Sequence, residues 1–405
     1  MMKKYDVIVL GGCASGLSAA INCARNHPDY RIAVCEKLPR VGKKILATGN
    51  GRCNLSNRSA VNHSYTNSDF ASSALKKYDV DAVLDFFSSL GLLTYDDEEG
   101  RIYPLSNTAA SVLDALRLEC SEIADIFTDT PVTSVVAENG GFTVNGTLFG
   151  DRVIVALGGK ASPSQGSDGS GYDIARSFGH GITPLYPSLV PLIAKGNDTK
   201  PLKGVRIHSA KLTVFSGSSA IASSEGEVLF TDNGISGIAA MELASSVEKA
   251  LGVKAKCFTS IDFLPGMNHK ERVNCISSLC SHSARDCDTL LTGLMPKAAG
   301  IAVLRRAGID TGKAQPKNFT KSDIENIALT SSDFRLEMKS TRGFDSAQVT
   351  CGGVDVSEIN PETMESLLCK GLYFAGEIID VDGGCGGFNL QWAWSSGLLA
   401  GEVGG

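Results

Sequence analysis

The strongest constraint on this chain lies in its first 36 residues. Tyr5–Leu10 (YDVIVL) is a short β-branched run of the kind that forms a buried parallel strand. It enters Gly11-Gly-Cys-Ala-Ser-Gly16 and then a segment with Leu17, Ala20, Ile21 and Ala24 on one helical face. Arg31–Glu36 (RIAVCE) reads as a second strand, ending in an acid twenty residues after Gly16. Strand, glycine turn, helix, strand and acid form the βαβ unit that holds a dinucleotide. The N–H groups of the helix start face the pyrophosphate, and the acid takes the ribose hydroxyls. Gly11, Cys13, Ala14, Ser15 and Gly16 are therefore placed at the pyrophosphate and Glu36, followed by Lys37, at the ribose. Cys13 stands where the fingerprint has its second glycine. A signal-peptide reading of the same stretch fails, because Asp6, Gly11, Gly12, Ser15 and Asn22 interrupt its apolar residues.

A second glycine-rich loop lies near the other end. Leu372–Ala375 reads as a short strand leading to Gly376-Glu377. Four glycines within the five residues 383–387 follow, then an apolar helical run from Phe388 to Leu399. Unpaired N–H groups at such a helix start suit an electron-rich, hydrogen-bond-accepting group. A third stretch, Gly42 to Asn57 (GKKILATGNGRCNLSN), is expected to be a non-helical loop. Its Lys43, Lys44 and Arg52 bring positive charge that suits a diphosphate.

The segments GKKILATGNGRCNLSN and GLYFAGEIIDVDGGCGGFNLQWAWSSG resemble the two signatures of a bacterial flavoprotein family, the YhiN-like, BaiN-like or aminoacetone oxidase family. The likeness extends over nearly the whole chain and implies an NAD(P)/FAD-dependent oxidoreductase. It implies FAD as the cofactor, with Gly49, Asn50, Arg52, Cys53 and Asn54 running beside the pyrophosphate toward the isoalloxazine. It places the backbone near Val132 at the adenine. Ala156, Leu157 and Gly158 match an Ala-Thr-Gly element that closes over FAD, with Leu157 at the Thr position. Gly376 and Glu377 fall at the pyrophosphate–ribityl region, and Gly386, Gly387, Phe388, Asn389 and Leu390 at the N1/O2 edge of the flavin.

The expected fold is α/β: a glutathione-reductase-like Rossmann FAD-binding domain with an inserted β-barrel and a small helical subdomain. The FAD domain is expected over 1–190 and 341–405, the barrel over 191–265 and 315–340, and the helical subdomain over 266–314. Leu92–Pro104 reads as a hairpin. So does the stretch from Ile126 to Leu148, with turns at Asn139-Gly-Gly141 and Asn145-Gly146. Thr231–Gly237 is expected to open a helix that runs through Val247.

Only one dinucleotide fingerprint occurs, so a nicotinamide donor, NADH or NADPH, is expected to dock transiently. The twelve cysteines include no CxxC or CxxxxC pair, which disfavours a zinc site and a disulfide reductase and suits reduced, packed thiols. A formal net charge of −6 disfavours a nucleic-acid partner, and no apolar run reaches the ~20 residues of a membrane span. The protein is expected to be cytoplasmic and to act on a small molecule; its oligomeric state is not legible.

The resemblance implies an NAD(P)H-linked reductase of an enone or dienone, such as a 3-dehydro-bile acid delta(4,6)-reductase. An aminoacetone-type amine oxidase, an FAD-dependent tRNA-modifying protein and a non-catalytic redox sensor are the alternatives. No catalytic acid or base stands out: Asp380 and Asp382 flank the glycine loop but read first as capping residues.

Overall fold

The computed structural model describes residues 2–138, 140–253, 256–282 and 286–404. Asn139, in the expected hairpin turn, lies outside the described residues. The chain forms two compact units, Met1–Tyr186 with Val349–Gly405, and Pro187–Gln348.

The first unit is built on a seven-stranded sheet. Ala124–Phe127, Ile32–Cys35, Lys3–Leu10 and Leu148–Val155 lie side by side in parallel. The free edge of Leu148–Val155 is shared. Its first half takes the antiparallel hairpin Val135–Glu138/Gly141–Val144, and its second half takes the parallel strand Leu372–Phe374. The strands are near-continuous apolar runs because helices cover them. On one face the first helix (Ala14–Asn26) packs against the terminal helix (Phe388–Ala400). Gly397 and Gly401, four residues apart, permit that approach. A Cβ on Gly397 would stand 2.5 Å from the Ser15 carbonyl oxygen, and one on Gly401 2.4 Å from that of Ala19.

The terminal helix is buried on nearly every side, and its polar groups are satisfied internally. Trp394 Nε1 donates to Leu55 C=O at 3.0 Å, and Gln391 Nε2 to Tyr78 C=O at 3.0 Å. The Leu92–Pro104 stretch forms the strands Thr94–Asp96 and Arg101–Pro104, with Ser56–Asn57 added on the far edge of the second.

Two local expectations are corrected. Lys43–Ala47 is a short helix rather than loop: its Lys, Ile, Leu and Ala are good helix formers, and Ile45 is buried. Thr231–Gly237 does not open a helix directly. Gly234–Ser236 first turns back to pair with Leu229–Thr231, and the helix begins at Ile238.

The second unit contains a closed six-stranded barrel in the order Leu192–Ala194, Gly234–Ser236, Ser219–Thr231, Arg206–Ser216, Cys257–Asp262, Phe334–Thr341. Leu212, Val214, Phe230 and Leu336 are buried within this unit. Helices His269–Cys280 and Lys321–Ser332 each begin with a capping box, Asn268/Glu271 and Thr320/Asp323.

Candidate functional site

Five parallel strands end at one edge of the sheet, and backbone bonds hold their ends in line. Gly11 N–H donates to Cys35 C=O at 2.8 Å, and Ala156 N–H to Leu10 C=O at 2.8 Å. Glu36 N–H donates to Phe127 C=O at 2.8 Å, and Ala375 N–H to Val155 C=O at 3.0 Å. Gly11, Glu36, Ala156 and Gly376 thereby converge on the carboxyl edge, where open α/β sheets bind ligands.

The glycine turn is dictated by close packing. Gly11 has φ +106°, and a Cβ there would lie 2.3 Å from the Ala156 carbonyl oxygen. A Cβ on Gly16 would lie 1.8 Å from the Gly11 carbonyl oxygen. Cys13 has φ −120°, ordinary for any L-residue, so a side chain is accommodated at the fingerprint's second glycine position. Its side chain is half-buried, and desolvation pushes the thiol pKa up. The first intrahelical bond runs from Leu17 N–H to Cys13 C=O at 2.9 Å, so the N–H groups of Ala14, Ser15 and Gly16 precede the helical ladder.

Glu36 is buried, and its carboxylate accepts from Gly12 N–H at 3.1 Å and Leu38 N–H at 2.8 Å. Each oxygen keeps a further lone pair for a hydroxyl donor. Lys37 pairs with Asp168 at 2.7 Å. Burial pushes the Asp168 carboxyl up, but its bonds to Lys37 and Ser170 outweigh this and hold it below the usual range. Val132 lies in the loop after Ala124–Phe127, which Thr130 N–H ties to Glu36 C=O at 2.9 Å. Thr133 and Ser134 N–H both donate to Asn145 Oδ1, at 2.9 and 3.2 Å. Among the described residues, neither the N–H nor the C=O of Val132 has a protein partner.

The basic residues of the 42–57 stretch are already engaged. Lys44 Nζ pairs with Glu377 Oε2 at 2.6 Å and also donates to Ala161 C=O at 3.2 Å. Glu377 Oε1 accepts from Thr350 N–H at 2.8 Å, and Thr350 Oγ1 accepts from the N–H groups of Lys160 and Ala161. Lys43 Nζ donates to Ser164 C=O at 2.7 Å, and the Arg52 guanidinium lies 4.5 Å from the centre of the Tyr103 ring. The expected positive patch is thus largely a set of internal ties joining the 42–57 stretch to the loops after Gly158 and before Glu377. Gly49, Asn50, Gly51 and Cys53 all have positive φ, so the turn before Asn54 is tight and unusual in its two non-glycine members. Burial pushes the Cys53 thiol up to about 12, which makes it a packing group rather than a nucleophile. Asn54 is buried, and its Oδ1 has no partner among the described residues; it lies 2.9 Å from where a Cβ on Gly387, at the start of the terminal helix, would sit.

The C-terminal glycine loop is held by a segment that, apart from Asn57 at the end of the 42–57 stretch, periodicity and motif reading pass over. Residues 57–67 contact every second position of 380–388. Asn67 Nδ2 donates to Asp380 C=O at 2.6 Å, and Thr66 N–H to Asp382 C=O at 2.9 Å. Gly384 N–H donates to His63 Nε2 at 3.1 Å. Asn57 Nδ2 donates to Gly386 C=O at 3.2 Å, and Tyr65 Oη to Phe388 C=O at 3.1 Å. The His63 ring lies flat on Phe388, with centroids 3.6 Å apart and planes 6° apart. Within the loop, Asn389 Oδ1 accepts from Gly383 N–H at 2.9 Å, and its Nδ2 donates to Gly383 and Gly384 carbonyls. Trp392 Nε1 donates to Gly376 C=O at 3.1 Å, and Gly376 N–H donates to Ser396 Oγ at 2.9 Å. Leu390 and Gly387 sit at the first turn of this helix, which Gly387 opens at φ +98°. Alternating contacts of this kind leave no signature in a single sequence; the one available signal is the density of Asn, His and Tyr in an otherwise featureless loop.

These features fit a dinucleotide with a flavin head. Among the described residues, the Val132 backbone is unpaired, Glu36 is a buried acid, the helix-start N–H groups of Ala14–Gly16 lie ahead of the helical ladder, and the Asn54 amide oxygen is orphaned.

The chain matches the HI0933-like protein Rossmann domain over residues 5–403. It is 40% identical over 409 residues to a 3-dehydro-bile acid delta(4,6)-reductase of Clostridium scindens, covering 98% of each chain. It is 30% identical to a ribosomal RNA dihydrouridine synthase of Escherichia coli, over 98% of this chain and 96% of that one. To the enzyme of the same name from Haemophilus influenzae it is 31% identical, over 98% and 97%. With the sheet edge, its glycine loops and this likeness along almost its full length, the chain belongs to the HI0933-like Rossmann family and is an FAD-dependent oxidoreductase.

Proposed function

We propose that this protein is an NAD(P)H-linked reductase that saturates a carbon–carbon double bond conjugated to a carbonyl in a small organic substrate. The observation that carries this is the 40% identity, over 98% of both chains, to a delta(4,6)-reductase of a 3-dehydro-bile acid. The dihydrouridine synthases are named for the same class of change, a ring double bond becoming single. In this reading the cofactor supplies hydride to the substrate, and the protein supplies orientation, charge placement and exclusion of water. The Ala14–Gly16 N–H groups receive the pyrophosphate, Glu36 the ribose hydroxyls, and the Val132 backbone the adenine edge. Asn54 Oδ1 takes a donor of the cofactor, and the N–H groups at Gly386–Leu390 face the flavin edge where negative charge gathers on reduction. Lys37, Lys43, Arg52 and Glu377 act through the ties described above, by fixing the loops that carry those backbone groups. We place the reaction in the cytoplasm; no helix among the described residues is long and apolar enough to cross a membrane.

The test is anaerobic mixing of the yellow, purified protein with NADH or NADPH, followed by a steroidal dienone. Bleaching by a nicotinamide and recolouring by the dienone is the expected sequence. Absence of bleaching with both nicotinamides overturns the reductase reading. A second reading, reduction of uridine in ribosomal RNA, is favoured by the identities of 30% and 31% to the two dihydrouridine synthases. Loss of dihydrouridine from ribosomal RNA on deletion of the gene selects that reading over the small-molecule one.

A further inference from the structure

We propose that His63 is the positioning residue of the flavin-ring loop, and that it holds the loop only as a neutral imidazole with its proton on Nδ1. The proposal rests on the FAD reading of the site and goes beyond it, because it gives a role and a protonation state to a residue in no glycine motif. A backbone N–H can only donate. Gly384 N–H points at His63 Nε2 from 3.1 Å, so that nitrogen must be the acceptor, and the neutral ring must carry its proton on Nδ1.

The same ring is stacked flat on Phe388 at 3.6 Å and meets the Tyr65 ring edge-on at 5.2 Å. Phe388 is the first residue of the terminal helix, directly after Gly386-Gly387. One imidazole therefore fixes both the middle of the glycine loop and the residue that opens the helix. Tyr65 closes the cluster from the other side through its bond to Phe388 C=O. Protonating Nε2 sets a donor against the Gly384 donor and removes the only acceptor this contact offers. The ring stack remains, but the loop loses its central tie.

The ionisable groups on the packed elements are Arg58, paired with Asp81 and Asp96, and Tyr65 on the same segment, and Asp380, Asp382 and Cys385 on the loop. Asn67 and Thr66 bind the backbone carbonyls of Asp380 and Asp382, which do not titrate, and Asp382 itself is buried. Tyr65 is neutral across the relevant range, because burial pushes its phenol well above the ordinary value.

The test compares the wild-type flavoprotein with His63→Gln and His63→Ala, each with flavin bound and after its removal. A glutamine Oε1 can accept from Gly384 N–H but does not titrate; alanine can do neither. Amide hydrogen exchange of peptides covering 380–390, corrected for the intrinsic pH dependence of exchange, reads the latch whether or not flavin is present. Release of FAD at the same pH values reads its consequence. Wild-type protection should fall roughly tenfold from pH 7.5 to 5.5, with FAD release faster by a similar factor. The glutamine variant should keep the wild-type pH 7.5 behaviour at both pH values, and the alanine variant should show the acid behaviour at both. An equal pH step in wild type and His63→Gln, full protection in His63→Ala at pH 7.5, or FAD release indifferent to all three overturns the proposal. A protein that never binds flavin overturns the FAD reading instead, while the exchange arm still reports on His63.

Discussion

The two glycine loops of the first unit look alike as sequence and are held in opposite ways. Around Gly11–Gly16 the glycines at 11 and 16 are demanded by the backbone, since an added Cβ would stand 2.3 and 1.8 Å from carbonyl oxygens, within the unit that the βαβ pattern itself announces. Around Gly383–Gly387 the loop is held from outside, by side chains of Asn57, His63, Tyr65 and Asn67 more than 300 residues earlier in the chain. A glycine-rich stretch therefore has two structural meanings. In one, absence of Cβ lets the chain pack on itself. In the other, it exposes N–H and C=O groups for remote side chains to grasp. The first loop should fail all at once when altered, the second by increments.

The sharpest test of that contrast is Gly16→Ala, which places a methyl against the Gly11 carbonyl oxygen with no side chain able to yield. It should destabilise the first unit by at least ~3 kcal/mol, read as a lower urea midpoint or loss of soluble protein. A variant that folds and keeps its flavin normally would break the distinction. Next is Asn389→Ala, which strips three hydrogen bonds from the second loop and leaves Gly383 N–H unpaired. We expect a loss of ~2 kcal/mol and weaker flavin retention in a protein that still folds.

A third test separates acid effects on the loop from those on the fold at large. His180 is buried, with Nε2 2.8 Å from Ser366 Oγ and Nδ1 3.2 Å from Glu358 Oε2. Desolvation lowers its pKa, and this outweighs the attraction of Glu358. The unfolded chain then binds the proton better than the folded one, so the stability tied to neutral His180 is present above the unfolded pKa of ~6.5 and is lost as pH falls below it. Global denaturation midpoints should drop from pH 7 to pH 5 in wild type and less in His180→Gln. The local exchange at 380–390 should follow His63 and ignore His180. The smallest effect is expected for Cys13→Ala. With φ −120° and a thiol whose pKa burial raises, the position needs neither glycine nor a reactive sulfur. Stability should change by ~1 kcal/mol or less, with the flavin spectrum unchanged; a lost spectrum would give Cys13 a direct role.

Much of the first loop was legible because its requirements are local and periodic. The β-branched strand YDVIVL and the face of Leu17, Ala20 and Ile21 are set by spacings of a few residues, and Glu36 by its place at the end of the next strand, twenty residues after Gly16. The short helix Lys43–Ala47 was hidden by the glycines on both sides of it. The Lys44–Glu377 pair turned an expected anion-binding charge into an internal tie, because a cation's partner is a matter of folded geometry and not of composition.

By itself the sequence determined the βαβ opening, the glycine-marked strand ends and the family to which the chain belongs. Periodicity and short motifs encode contacts between near neighbours, and those contacts are what such patterns report. Only the tertiary structure decided that residues 57–67 grip alternate positions of 380–388, that Asn54 keeps a buried oxygen unpaired among the described residues, and that His63 Nε2 meets Gly384 N–H. Each of these is a side chain meeting a distant backbone group, and hydrogen bonds between segments so far apart in the chain impose no period on either one.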